Sequence, residues 1–146
     1  MTRDALLELQ EYDLWANARW LAALASMPDP AVAEQIFAHI LVAQQKWLGV
    51  VLSEEEVEPL TENYEAQMMR LFEAWRDVLQ HGDPNAFVSR ERDGEVHFHM
   101  LSEVAHHVFN HGTYHRGHLR GLADAAGFED FPETDLIRFY REKASP

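Results

Sequence analysis

Prolines and glycines punctuate this chain at wide intervals, leaving long apolar-patterned runs, and that spacing restricts the fold more than any other feature. From Ala5 to Met27, Leu7, Leu14, Ala18, Leu21 and Ala25 fall on one stripe at helical spacing, and the Met27-Pro28 step ends the run. Asp29 then offers an N-cap and Pro30 a first-turn proline. No breaker follows until about Leu52, with Val32, Ile36, Ala43, Trp47 and Val50 on one side. The acidic stretch Ser53 to Pro59, which holds Glu54, Glu55, Glu56 and Glu58, reads as a solvated connection. A third helix is expected from about Thr61 to Gln80, stopped by His81-Gly82-Asp83-Pro84. Phe87-Val88 and Val96-His97-Phe98 flank Asp93-Gly94, a dipeptide that favours a tight hairpin. A fourth helix runs from about Leu101 to Ala126 with Gly127 as its stop, and Gly112, Gly117 and Gly121 inside it offer close helix contact. Thr134-Asp135 caps a short last helix through Arg141. The expectation is an all-α chain of four main helices, a hairpin insertion before the fourth, and a short C-terminal helix.

The 146 residues suit one domain, 1–146, with one core. The chain carries 12 Lys+Arg against 25 Asp+Glu, a formal charge of -13, which repels phosphate backbones and anionic lipid and argues against nucleic acid as a partner. No window resembles a membrane span, and the acidic start MTRDALLELQEYD is unlike a signal peptide, so a cytoplasmic location is expected. There is no cysteine, hence no disulfide, thiolate ligand or cysteine nucleophile. Nine histidines remain, and any metal chemistry falls to imidazole.

On the fourth helix His107, His111, His115 and His118 form one stripe within an arc of about 80°. Val104, Val108, Leu119, Leu122 and Ala126 centre near the side of that arc held by His115, with His111 next, so these two point most nearly into the core. Residues four apart rise about 6 Å and can converge on one ion, whereas His107 and His115 lie about 12 Å apart along the axis. All four therefore cannot bind together. The second helix places His39 at the edge of its apolar side, near enough to join the pair across a helix contact. Three neutral imidazoles hold a divalent ion and leave positions open for water or substrate. An i,i+4 histidine pair in a chain this rich in histidine also arises by accident, and the pattern alone leaves both readings open.

The run from His107 to Leu119, HVFNHGTYHRGHL, resembles the most characteristic segment of DinB/YfiT-like proteins, an H-x-x-N-H-x-x-x-H-R-G pattern. Tyr12 to Arg19 (YDLWANAR), His39 to Trp47 (HILVAQQKW) and Thr134 to Ile137 agree in order and spacing, so the resemblance covers essentially the whole chain. It implies a four-helix bundle, often a homodimer, with one divalent metal held by His39, His111 and His115. Tyr114 and His118 stand where the family often has histidine and glutamine, which alters the rim and removes no ligand. Zinc or nickel is the first expectation for the ion, with iron and manganese as alternatives.

Asn17, Asn110, Tyr114 and His118 are the candidates for residues around the ligands. For Asn17 a core or helix-contact role is the stronger expectation, and Asn110 is expected to orient backbone or a neighbouring helix. His97 and His99 share one face of a strand, while His81 and His106 are expected on the solvent side. Trp20, Trp47 and Trp75 suit core or interface positions. The resemblance implies a metal-dependent enzyme that activates water or a thiol, with a small-molecule substrate such as a low-molecular-weight thiol, in detoxification or stress response. Set against this is a non-enzymatic metal-binding stress protein. DNA binding, suggested only by the family name, is opposed by the charge.

Overall fold

The first three helices begin where the sequence supplies a side-chain acceptor for their free N–H groups. Thr2 accepts from Ala5 N at 3.2 Å to open α1 (Arg3–Ala23), which passes into a 3-10 turn at Leu24–Ser26. Asp29 Oδ1 accepts from Val32 N at 3.3 Å ahead of α2 (Pro30–Leu52), and Asn63 Oδ1 accepts from Ala66 N at 3.1 Å ahead of α3 (Tyr64–His81). Ser53 ends α2 in the left-handed conformation at φ 55°, and Glu54 N reaches back to Gly49 O. Strands β1 (Phe87–Arg92) and β2 (Glu95–Met100) follow, then α4 (Leu101–Ala125), closed by Gly127 at φ 65°, and α5 (Leu136–Ala144). The structure, a computed structural model, describes residues 1–54 and 63–145. Glu55, Glu56 and Glu58 of the acidic connection, and the expected helix start at Thr61, lie outside the described residues.

Among the described residues the chain is thus mostly helical, with five α-helices and one two-stranded antiparallel sheet. Helices α1 and α2 each pack against both α3 and α4, so the four long helices close a ring around Trp20, Phe37, Leu71, Trp75, Phe109 and Leu119. Fully burying a side chain of this size stabilises by about 1.5–3 kcal/mol. Trp75 also donates from Nε1 to Gln44 O at 3.0 Å, which satisfies its polar atom in the core. None of the described helices is long and apolar enough to cross a membrane.

Two expected faces are displaced. Along α1 and the 3-10 turn after it, the buried line is Leu6, Gln10, Asp13, Asn17, Trp20 and Leu24, whereas Leu7, Leu14 and Leu21 are half-buried flanks and Ala18 and Ala25 are exposed. The error has a physical source: polar Gln10, Asp13 and Asn17 occupy core-facing positions, so the apolar pattern marks the flank. On α2 the buried side chains are the apolar Ala33, Phe37, Ile40, Leu41 and Leu48 with the polar Gln44 and Gln45, while Val32 is exposed and Ile36, Ala43, Trp47 and Val50 form a half-buried side.

The hairpin turns at Asp93 (φ 53°) and Gly94 (φ 80°), two consecutive left-handed residues that match strand twist. Its register pairs Val88 with His99 and Arg90 with His97. One face therefore carries Val88, Arg90, His97 and His99, and the opposite face exposes Phe87, Val96 and Phe98. Asp135 holds the N-cap position of α5 without a side-chain cap. Thr134 instead ties the segment down: its carbonyl accepts from Tyr12 Oη at 2.7 Å and its Oγ1 from Trp20 Nε1 at 3.1 Å. Phe139 then packs edge-on against Tyr12 and Trp15. The helix runs past the expected Arg141 to Ala144.

Candidate metal centre

Helical spacing puts His111 and His115 one turn apart on the half-buried side of α4, and the packing of α2 against α4 brings exposed His39 across to them. One ring nitrogen from each of the three lies within 4.8 Å of the others. Ring centroids stand 5.0 Å apart for His39–His111, 4.5 Å for His39–His115 and 4.3 Å for His111–His115. His115 Nε2 and His111 Nε2 face each other at 3.0 Å. Burial pushes the His111 imidazole down to about 4, and His115, His39 and His107 act in the same direction. Burial also lowers His115, helped by His39 and His118. Both rings are therefore neutral at ordinary pH, with a lone pair to give.

The donor set fits a single divalent ion. Three nitrogens bound to one tetrahedral ion at about 2.0–2.1 Å stand about 3.4 Å apart, so small ring rotations separate the present arrangement from that one. All donors are imidazole, which suits zinc, nickel, copper or iron better than magnesium or calcium. Exposure of His39 leaves the solvent side of such a centre open.

Of the other residues singled out, His107 lies one turn before His111 with ring centroids 5.8 Å apart, outside the close group. Its ring meets Trp47 at 5.5 Å, and burial, Arg90 and His99 lower its pKa. His118 and Asn110 are exposed on α4. Tyr114 is 74% exposed and touches His115 edge-on, with its ring on the rim. His81 and His106 are exposed, as expected.

Asn17 leads to a feature that apolar patterning missed. Beside the histidines, Asp13 on α1 receives Arg116 Nη1 of α4 at 2.7 Å, Gln44 Nε2 of α2 at 2.7 Å and Asn17 Nδ2 at 3.1 Å. Arg116 Nη1 also donates to Asn17 Oδ1 at 2.6 Å. Burial pushes the Asp13 carboxyl upward and Arg116, Gln44 and Asn17 pull it down. Because every contact on it is a donor, the geometry accommodates the carboxylate. One side chain of α1 thus joins the helix that carries His39 to the helix that carries His111 and His115. The network needs Gly112: a Cβ there meets Asp13 Oδ1 at 2.5 Å and Arg116 Nη1 at 2.9 Å. Gly117 and Gly121 face open space, so of the three interior glycines only Gly112 serves close contact. The signal for this network in the sequence is Asp13 and Asn17 one turn apart on α1, together with Arg116 directly after His115.

No family model matches the sequence, and no solved structure matches it. Among curated proteins the chain is similar to Protein DinB of Bacillus subtilis (strain 168), 26% identical over an alignment of 155 positions, gaps included, that covers 88% of this chain and 90% of that protein. The similarity supports a DinB-like family. At 88% of the chain, the aligned span takes in His39, His111 and His115, which lie too far from either end to fall outside it. The DinB-like similarity and the three-histidine group are together compatible with metal binding.

Proposed function

We propose that the four long helices form a four-helix bundle that binds one divalent metal through His39, His111 and His115, and that the protein is a metal-dependent enzyme acting on a small molecule. The convergence of three imidazole nitrogens from two helices within 4.8 Å is the observation that carries this reading. A bound ion supplies Lewis acidity, lowering the pKa of a water or a thiol that enters its open position. His39, His111 and His115 hold the site, Asp13 and Arg116 fix the helices that carry them, and Tyr114 flanks the mouth. The solvent-open side contributed by His39 favours a reactive centre over a purely structural tether, which has no use for an open position. A low-molecular-weight thiol is the first candidate substrate, in a transfer reaction of detoxification or stress response, carried out by a cytoplasmic homodimer.

Tag-free protein assayed by elemental mass spectrometry is expected to hold about one equivalent of metal, lost in His39→Ala, His111→Ala and His115→Ala. No uptake after reconstitution with zinc, nickel, iron or manganese refutes the site. Metal-loaded protein is then expected to accelerate reaction of at least one low-molecular-weight thiol with an electrophile. A rate no higher than that of the His39→Ala variant across a thiol panel refutes the transferase reading.

A further inference from the structure

We propose that the cleft between the hairpin, α2 and α4 is a subsite for an oxyanion, carboxylate or phosphate, borne by a small molecule whose apolar part lies alongside Trp47. The cleft encloses about 400 Å³ and is lined by Trp47, Arg90, Arg92, His97, His99 and His107. That volume is in the range of small-molecule sites, about 300–1,000 Å³. Two guanidinium groups and three imidazoles gather here on a chain whose net charge is -13. The register of the hairpin makes this possible, since alternate residues of both strands turn the same face toward the helices.

The cations are not consumed by neighbours. Arg90 stacks with Cζ 4.7 Å from the Trp47 ring centroid, and its guanidinium makes no ion pair or hydrogen bond with any described residue. Its five N–H donors are thus available in a fork that matches a carboxylate or phosphate edge. Among the described residues, Arg92 has one acidic partner, Asp93 at 3.8 Å at the exposed turn, and His97 one, Glu95 at 3.8 Å. Glu103 is the acidic residue on the lining, its Oε2 accepting from Met100 N at 2.9 Å, so two guanidinium groups face one carboxylate here. Each imidazole offers an N–H even when neutral.

His107 joins this cleft to the histidine centre, with ring centroids 5.5 Å from Trp47 and 5.8 Å from His111. A ligand held by its anionic end at Arg90 therefore extends past Trp47 toward His111. That the ligand is a substrate of the centre rests on the function proposed above; the anion site does not.

The test titrates the full chain, chelator-treated and metal-loaded, with benzoate, phenyl phosphate and neutral benzamide by isothermal calorimetry. At least one anion is expected to bind about tenfold tighter than benzamide with or without metal, and Arg90→Gln to weaken it about tenfold with an unchanged circular dichroism spectrum. Binding of benzoate alone assigns the carboxylate, and of phenyl phosphate alone the phosphate. Benzamide binding as tightly as both anions, or full affinity in Arg90→Gln, overturns the subsite. Protein that takes up no metal yet binds an anion keeps the subsite and removes only its substrate role, whereas protein that takes up metal but neither anion overturns it.

Discussion

Replacing Gly112 by alanine separates intrinsic helix preference from the geometry of the buried network, because the two act with opposite sign. In an exposed helix interior, alanine stabilises relative to glycine by about 1 kcal/mol. Gly117 and Gly121 of α4 are exposed, and a methyl group at either meets no atom within 4 Å, so Gly117→Ala and Gly121→Ala are expected to gain up to about 1 kcal/mol. At Gly112 the new Cβ lands 2.5 Å from Asp13 Oδ1 and 2.9 Å from Arg116 Nη1, and both side chains are hemmed in by their other partners, Gln44, Asn17 and Thr113. Parting a buried ion pair costs about 3–5 kcal/mol. Offset by the helix preference, Gly112→Ala is expected to destabilise by about 2–4 kcal/mol. Urea unfolding of the three variants beside the wild type, at comparable m-values, measures the difference. A Gly112→Ala protein as stable as wild type, or one that rises together with the two controls, refutes the claim that this glycine exists to admit the Asp13–Arg116 pair.

Thr134→Val keeps the shape of the side chain but leaves the buried Trp20 Nε1 without its acceptor, at a cost of about 1–3 kcal/mol; thermal unfolding followed by tryptophan fluorescence should register it, and an unchanged melting temperature would contradict the tie described for this segment. In chelator-treated protein, His111 adds a pH dependence whose sign follows from its depressed pKa. The unfolded chain binds the extra proton between its ordinary value of 6.5 and the folded value of about 4, so stability is full above 6.5 and declines as pH falls toward 4. Solvent screening at this half-exposed ring limits the effect to about 1 kcal/mol, and His111→Gln is expected to flatten that part of the stability profile; an identical profile in the variant counts against the shift.

Helix positions, the Asp93-Gly94 hairpin and the inward direction of His111 and His115 on α4 are legible in the sequence because they depend on local rules. Caps, breakers and turn residues act on their own backbone, and a histidine stripe on one helix has a direction fixed by the helical repeat. The faces of α1 and α2 are not legible in the same way. Which side of a helix is buried depends on its neighbours, and here a neighbour's guanidinium makes Asp13 and Asn17 core residues while Ala18 stays exposed. Likewise nothing local to Arg90, His97 and His99 joins them to Trp47 and His107; the docking of the hairpin against α2 and α4 does that. The sequence by itself determined most of the elements and, with no cysteine in the chain, that the three-residue convergence on α2 and α4 would be one of imidazoles. The tertiary packing decided which polar groups meet, because a buried charge is tolerable only where a distant part of the chain brings its partner.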